Sequence, residues 1–242
     1  MINKILDNIK TLLIALVIAI FIRSLIIQPF YIPSSSMEPT LLVGDRIFVT
    51  KYSYGYSKHS FPFSPPVFEN RIFFSEPNYG DLVVFKTPSD NRTDFIKRLI
   101  GFPGDEIQFQ NGNLFVNKKK ILKNKVIKNI DIMCGKTKIE VVFFEETLPN
   151  SKKHIITNNK IGTLLNTDTY VVPKNHYFFL GDNRDCSKDS RFLSSVGYVH
   201  KDNLVGKAQI IFFSNNTEKG SVLKFWNLTN SLRSDRFFKK IK

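Results

Sequence analysis

A long apolar run near the amino terminus sets the first constraint on this chain. Residues 11–22 carry no charge, and the apolar character continues to Ile32 with a few polar insertions such as Arg23. A membrane-spanning helix needs about 20 mostly apolar residues, and an arginine near its end can reach the interface with its long side chain. The run therefore predicts a membrane anchor at residues 11–32 after a short tail at residues 1–10.

Two lysines before this run, Lys4 and Lys10, raise the alternative of a cleaved signal peptide. A signal peptide ends in a cleavage site with small residues, and no such site follows the run. We therefore favour an uncleaved anchor. The same lysines predict that the amino terminus is cytoplasmic, because short positively charged segments stay on that side. The long remainder of the chain would then lie on the extracytoplasmic side.

After the anchor the sequence changes to short runs rich in branched and aromatic side chains, which are typical of β-strands. The Asn111-Gly112-Asn113 segment lies between two alternating runs and predicts a hairpin, because asparagine and glycine tolerate the positive φ of tight turns. We therefore predict a mainly β domain over residues 33–213. The predicted strands are residues 46–51, 81–87, 94–100, 106–110, 114–117, 141–145, 170–172, 177–180 and 205–213.

Three stretches lack a clear pattern. Residues 118–168 are rich in lysine and asparagine and are interpreted as a variable excursion from the β-scaffold. The basic, aromatic tail at residues 214–242 fits either an interfacial amphipathic helix or a frayed terminus. The aromatic and proline-rich residues 52–79 fit either a core loop or a surface that enters lipid. In the lipid alternative the inserting side chains would be Phe61, Phe63, Phe73 and Phe74.

Composition limits the partners. The 242 residues carry a formal charge of +14, yet no zinc-finger, helix-turn-helix or RNA-binding signature accompanies it, so nucleic acid is not expected as a partner. An anionic phospholipid membrane and an ordinary solvated surface both remain open. The four histidines form no metal-binding pattern. Cys134 and Cys186 also lack metal-ligand spacing, and whether they pair is left open. We expect neither a metal nor a cofactor.

Two segments offer a nucleophile and a base close to the anchor. Ser36 lies in residues 33–40, and Lys97 lies in residues 94–105. A serine hydroxyl needs a base, and a free lysine with a pKa of about 10.4 is almost wholly charged at neutral pH. Lys97 lies in an apolar run that reads as a buried strand, and burial lowers a lysine pKa by penalising the charged form.

Four blocks occur in order along the chain and together resemble one family. The blocks are PSSSMEPTLLVGD (33–45), YGDLVVF (79–85), DFIKRLIGFPGD (94–105) and GDNRDCSKDSR (181–191). In this order they resemble the type I signal peptidases, which are membrane-bound serine proteases with a Ser/Lys dyad. The resemblance covers most of the chain and implies a signal-peptidase-like β-scaffold behind one transmembrane helix.

The resemblance also implies a role for each matching residue. Ser36 would be the nucleophile and Lys97 the general base, and an acyl-enzyme would form on Ser36 during the reaction. The hydroxyl of Ser34 and the backbone N–H of Ser36 would form the oxyanion hole. Ser187 would orient the lysine. The structural ion pairs around the site would involve Arg98, Asp182, Asp189 and Arg191.

Substrate and location follow from the same resemblance. The substrates would be preproteins with signal peptides, cut after small residues at the first and third positions before the bond, and the enzyme would lie in a bacterial inner membrane. Three positions depart from the family pattern. Phe95 stands where tyrosine is common, Cys186 where asparagine is frequent, and Glu38 replaces an apolar residue of some relatives.

Two other classes of protein compete with this one. An anchored β-domain could bind anionic lipid or nucleic acid through its positive charge, without catalysis. Such a binder has no need for Ser36, Lys97 and Ser187 in these contexts. A self-cleaving Ser/Lys regulator of related fold would be expected to lack the anchor and to carry a DNA-binding domain instead.

Overall fold

The computed structural model describes residues 2–66, 69–128, 130–135, 137–159, 164–216 and 231–241. Helix α1 spans Ile2–Phe21. The strands are β1 (Ile27–Tyr31), β2 (Asp45–Thr50), β3 (Leu82–Lys86), β4 (Asp94–Gly101), β5 (Glu106–Gln110), β6 (Asn113–Val116), β7 (Lys119–Lys120), β8 (Leu122–Val126), β9 (Ile132–Cys134), β10 (Thr137–Ile139), β11 (Val141–Thr147), β12 (Lys153–Asn159), β13 (Tyr170–Val171), β14 (His176–Leu180), β15 (Val199–His200), β16 (Leu204–Ser214) and β17 (Lys239–Lys240).

The amino-terminal helix is long and apolar enough to cross a membrane over Lys4–Ile26, and most of its apolar side chains are exposed. It ends earlier than the apolar run. A π-helical turn at Ile22–Ile26 follows α1, and β1 then joins the main sheet instead of extending the anchor to residue 32. Pro29 explains the change, because proline has no N–H for a helix and disfavours helical backbone in the residue before it.

A large antiparallel sheet carries the elements that position the site. Its strands lie in the order β1-β2-β16-β3-β4-β14-β15, and β17 pairs with β16. The other sheets are β13-β5-β6-β7, β12-β11-β8 and β10-β9. The mainly β prediction is confirmed. The predicted hairpin also forms, since β5 pairs with β6 across Asn111 and Gly112, both of which have positive φ.

Both faces of the main sheet are buried, because successive side chains of a strand point to opposite sides. In β3, Leu82 and Val84 belong to one apolar cluster, whereas Val83 and Phe85 belong to another. Strand β14 likewise divides its side chains between two clusters, and one of them continues into the β5-β6 hairpin. The middle strands of the sheet are therefore held rigidly by packing from both sides.

The excursion at residues 118–168 is more structured than its composition indicated. It contains the three-stranded sheet β12-β11-β8 and the β9-β10 hairpin. An isolated bridge joins Thr157 of β12 to Asn183, which lies in the fourth sequence block. Lysine and asparagine dominate its exposed positions, so the apolar alternation that marks a strand is weak in this segment.

The tail is described only in part, and the aromatic stretch has a buried and an exposed part. Residues 217–230, which include only part of the predicted interfacial helix, lie outside the described residues. The end of the tail is docked, because β17 pairs with β16 and the Arg236 guanidinium bonds the buried Asp45 carboxylate. In the aromatic stretch Tyr54 is buried and donates to Asp81, whereas Phe63 and Phe73 are exposed.

Candidate active site

Ser36 lies in a single 3-10 turn, Ser35–Met37, that follows shortly after the first strand. Met37 and Leu41 after this serine are buried in the same apolar cluster as β2 and β3. This packing fixes the backbone of the turn. Ser36 itself is 8% exposed, so its hydroxyl is nearly enclosed before any substrate binds.

Lys97 lies in β4, a central strand that pairs with β3 on one side and β14 on the other. Its Nζ donates a hydrogen bond of 2.7 Å to Ser36 Oγ and one of 2.9 Å to the carbonyl of Ile96. The side chain is 3% exposed. The fold thus places the two residues in direct contact although 61 positions separate them in sequence.

Burial changes the acidity of this lysine. Loss of solvent around the ammonium lowers the pKa of Lys97 from 10.5 to about 8, although the negative charges of Asp189 and Asp182 oppose the change. The Phe95 ring lies 5.2 Å from Nζ, so an apolar aromatic face covers the amine. At a pKa of about 8, roughly a tenth of the amine is neutral at pH 7. The hydrogen-bonded pair is therefore a hydroxyl next to an amine that can accept its proton.

The two other predicted serines lie beside this pair in different ways. Ser34 Oγ is 3.4 Å from Ser36 Oγ, at the exposed side of the turn. Ser187 is buried, and its hydroxyl contributes to the lowered pKa of Asp189. Within the described part of the chain, however, no atom lies in good hydrogen-bond geometry with Ser187 Oγ, and this includes Lys97 Nζ. The structure therefore brings Ser187 to the site without showing the expected tether to the lysine.

Gly181 shows how closely the fourth block packs against Ser36. A Cβ atom added at this position would lie 2.1 Å from Ser187 Oγ and 2.6 Å from the Ser36 carbonyl oxygen. Only glycine fits such a contact, because real Cβ atoms do not approach other atoms this closely. Asn183, two residues later, donates its backbone N–H to the same Ser36 carbonyl at 3.1 Å. The fourth block therefore packs directly against the serine turn and holds its backbone in place.

Two buried ion pairs surround the site. The Arg98 guanidinium donates to both oxygens of Asp182 at 2.8 and 2.7 Å, and Arg191 bonds both oxygens of Asp189 at 2.8 and 2.9 Å. Burial alone would raise the pKa of each aspartate, but the facing guanidinium holds each below its ordinary value. The first pair joins β4 to the loop after β14, and the second lies within that loop, so together they hold the loop in position.

The excursion supplies buried polar residues that the sequence did not single out. Glu146 of β11 pairs with the Arg184 guanidinium in a bidentate contact. His154 of β12 lies 3.5 Å from Glu146 and 4.0 Å from Asp182. Burial, together with the Arg98 charge, holds the pKa of His154 well below its ordinary value, so the ring is neutral. No local pattern indicated these residues, because their partners are distant in sequence.

The β9-β10 hairpin also contacts the serine turn directly. Glu38 Oε2 accepts the backbone N–H of Met133 at 2.8 Å, and Ser35 Oγ accepts that of Gly135 at 3.3 Å. A disulfide joins Cys134 to Cys186, which answers the question that the sequence left open. Glu38, which departs from the family pattern, thus accepts a hydrogen bond from the hairpin. The hairpin contacts the serine turn through Glu38 and Ser35, and the disulfide links it to the loop after β14.

An apolar cleft of about 410 Å³ opens beside Ser36 and Lys97. Ser36 and Lys97 lie in its wall, and the rest is largely apolar. The main apolar lining residues are Phe30, Ile32, Ile47, Val84, Phe95 and Ile96. Among the described residues, no cluster of three or more histidine, cysteine, aspartate or glutamate side chains could hold a metal ion.

Comparison with known proteins places this chain in a family. The family model described as signal peptidase, peptidase S26 matches residues 5–213. Signal peptidase I of Rickettsia typhi is 42% identical over 93% of this chain and 89% of its own length, and that of Rickettsia akari is 44% identical over 81% and 75%. A crystal structure of a signal peptidase I from Enterococcus faecalis is 22% identical, with a TM-score of 0.32, over 55% of this chain and 97% of its own. The chain belongs to the S26 signal peptidases.

Proposed function

We propose that this protein removes signal peptides from preproteins by a Ser36/Lys97 mechanism at the surface of the membrane that anchors it. The observation that carries the proposal is the 2.7 Å hydrogen bond between Lys97 Nζ and Ser36 Oγ in a nearly solvent-free site. A buried lysine with a lowered pKa can act as the base that activates a serine. Membership of a serine peptidase family gives this pair its chemical context.

The proposed reaction has two steps. Neutral Lys97 takes the proton of Ser36 as Oγ attacks the scissile carbonyl, and the resulting ammonium gives that proton to the leaving amine. The acyl group is then bound to Ser36 as an ester. In the second step Lys97 takes a proton from a water molecule as that water attacks the ester, and it returns the proton to Ser36 Oγ as the ester C–O bond breaks and the acid leaves. Lys97 is the only base that this cycle requires.

The oxyanion would be held at the start of the serine turn. Backbone N–H groups in the first turn of a helix have no partner within the helix, and Ser36 lies in such a turn. The Ser34 hydroxyl on its exposed side offers a second donor. Donors in this position stabilise charge that exists only in the transition state, which is why they accelerate the reaction.

The apolar cleft supports the proposed specificity. A signal peptide that enters it would place its side chains against a wall that includes Phe30, Phe95 and Ile96. Bulky apolar side chains in the wall of a cleft favour small substrate side chains over larger ones. We therefore assign this cleft to the small residues before the cleaved bond.

The disulfide supports the proposed orientation in the membrane. Disulfides persist in oxidising compartments such as the bacterial periplasm and are rare in the cytoplasm. The Cys134–Cys186 bond lies next to the dyad. It therefore fits a catalytic domain on the extracytoplasmic side of a bacterial inner membrane, with Lys4 and Lys10 on the cytoplasmic side.

The test is cleavage of a synthetic preprotein by the detergent-solubilised full chain. Ser36→Ala and Lys97→Met should each lower the rate by about 10⁴-fold or more, and the double variant should lose little further activity because the two residues act as a unit. The matched controls are Ser194→Ala and Lys174→Met, which change exposed residues. Sequencing of the new amino terminus should show small residues before the cut.

The competing binding-module function makes the opposite prediction. It requires no cleavage by folded wild-type protein across several preproteins, together with salt-dependent binding of anionic lipid or nucleic acid. Full activity in either dyad variant would contradict the Ser36/Lys97 assignment itself. The buried contact between these two residues favours the peptidase, because a surface that binds polyanions gains nothing from an enclosed lysine with a lowered pKa.

A further inference from the structure

A second cavity, of about 590 Å³, lies beside the carboxyl end of the anchor. It shares only Phe30 and Asp94 with the apolar cleft. None of the proposed catalytic or ion-pair residues lines it. Its cationic lining residues are Arg23, Lys58, Lys86 and Arg92. We refer to it as the basic cavity.

The carboxylates of the basic cavity do not balance its cations. Asp94 pairs with Lys86 at 2.9 Å. Asp90 accepts hydrogen bonds from the hydroxyls of Thr87 and Thr93 and from two backbone N–H groups of its own turn. Four cations against two carboxylates leave a net charge of +2 in the lining. Of the four lining cations, three have no carboxylate in salt-bridge contact among the described residues: Arg23, Lys58 and Arg92.

The position of the cavity matches the depth of lipid headgroups. Arg23 belongs to the candidate span Lys4–Ile26, and Gln28 and Phe30 belong to the strand that starts immediately after it. A strand rises about 3.3 Å per residue, so Phe30 is at most about 13 Å beyond the end of the span. The polar headgroup layer occupies the first several ångströms on each side of the hydrocarbon core. The cavity therefore begins where phosphates would lie.

The loop at the rim of the cavity presents an aromatic ring. Phe63 is fully exposed and has a φ of 63°, and Ser64 after it has a φ of 52°. Positive φ in a bulky residue is unfavourable and persists only where neighbouring contacts enforce it. His59 contributes such a contact, since its Nδ1 lies 2.9 Å from Ser64 Oγ. The buried His59 Nε2 has no hydrogen-bond partner within the described ranges.

We propose that the basic cavity binds the phosphate headgroup of an anionic phospholipid, with Phe63 at the boundary between headgroups and acyl chains. Exposed cations at headgroup depth attract phosphate. The excess positive charge of the lining disfavours a choline headgroup, so phosphatidylglycerol fits better than phosphatidylcholine. Binding would fix the height of the β-domain above the bilayer. The inference rests on the membrane anchoring in the proposed function and is independent of the peptidase chemistry.

The test is thermal unfolding of the full chain in a neutral detergent with short-chain phosphatidylglycerol, short-chain phosphatidylcholine or inorganic phosphate. Phosphatidylglycerol at a hundredfold excess over Kd should raise Tm by about 5 °C or more, and the other two probes should raise it much less. The variant Lys58→Gln/Arg92→Gln should lose this rise. Both residues are exposed, so the substitution spares the core.

The matched control is Lys119→Gln/Lys174→Gln, which removes the same charge from exposed positions outside the cavity. It should keep the full rise in Tm. An equal rise with inorganic phosphate would overturn the lipid assignment in favour of a free anion. Equal loss in both double variants would show diffuse attraction, and no loss in either would place the lipid elsewhere; both results overturn the proposal.

Peptide cleavage by the same samples separates this inference from the proposed function. The Lys58→Gln/Arg92→Gln variant should cleave a short soluble peptide at the wild-type rate, which also shows that it is folded. If wild-type protein shows the lipid effect without any cleavage, the peptidase assignment fails and the lipid site stands. If cleavage is normal and the lipid effect is absent, the lipid site fails and the peptidase assignment stands.

Discussion

The disulfide between Cys134 and Cys186 ties the β9-β10 hairpin to the loop that carries Ser187, the residue directly after Cys186. The same loop continues into Asp189 and Arg191, one of the two buried ion pairs of the site. A covalent link therefore joins the long excursion to the loop that packs against the serine turn. The excursion is part of the scaffold of the site and not a surface insertion.

Removal of this disulfide should destabilise the protein and disturb the site. The bond spans 52 residues, and closing a loop of that length is worth about 4 kcal/mol in the chain-entropy model. We expect Cys134→Ser/Cys186→Ser to lower the free energy of unfolding by about 2–4 kcal/mol and to lower kcat. Thermal unfolding with and without a reductant measures the effect. If a reductant lowered the Tm of the variant as much as that of the wild type, the assigned role of the disulfide would be contradicted.

The rate should depend on pH through Lys97. Only the neutral amine can take the Ser36 proton, and burial lowers its pKa to about 8. The value of kcat/KM should therefore rise as the pH increases through about 8 and then level off. Lys51→Met is the control, because Lys51 is a second buried lysine, with a pKa lowered to about 7. An acid limb near pH 10, or one that disappears in the Lys51 variant, would show that buried Lys97 is not the titrating base.

Burial of Lys97 should also cost stability at neutral pH. Its pKa is about 8 in the folded protein, against 10.5 for the solvated side chain. The unfolded chain therefore binds more protons between these two values, and wild-type stability rises with pH there. Below pH 8 burial of Lys97 lowers the free energy of unfolding by its full amount. We expect Lys97→Met to raise the free energy of unfolding at pH 7 by about 1–3 kcal/mol.

The gain in the free energy of unfolding from Lys97→Met should shrink as the pH approaches 10.5. Thermal unfolding at pH 7 and at pH 10 gives the comparison. Lys174→Met is the matched control, because this lysine is exposed and its removal should change little at either pH. A variant that is less stable than wild type at pH 7 would show that contacts of the lysine outweigh its desolvation.

The Ser34 hydroxyl should act mainly in the transition state. It lies beside Ser36, the proposed nucleophile, with 3.4 Å between the two Oγ atoms. Loss of one oxyanion donor typically costs about 100- to 1000-fold in rate. Ser34→Ala should therefore lower kcat on this scale and leave KM nearly unchanged, whereas exposed Ser194→Ala should change neither. Unchanged kcat in the Ser34 variant would remove this residue from the proposed oxyanion hole.

Local sequence patterns predicted much of the scaffold. Short alternating runs indicated the main strands, and Asn111-Gly112-Asn113 indicated its hairpin, because both signals depend on neighbouring residues. The end of the anchor could not be predicted as well from the sequence. Apolar residues after Ile26 suit lipid and a buried strand equally, and only pairing with β2 shows that they belong to the sheet.

The buried polar network could not be predicted in this way. Glu146, His154 and Arg184 meet only because β12 lies against the loop after β14. The pairing of the two cysteines has the same origin. Partners distant in sequence leave no local periodicity, so composition gives no sign of them.

By itself the sequence determined the membrane-length apolar helix, the mainly β domain and the four ordered blocks that mark the family. Those features follow from residue type and short-range spacing. Only the tertiary structure decided that Lys97 contacts Ser36, how far the lysine is buried and which residues support the serine turn. The acidity of an amine depends on solvent and charge around it, and those surroundings exist only once distant strands have packed together.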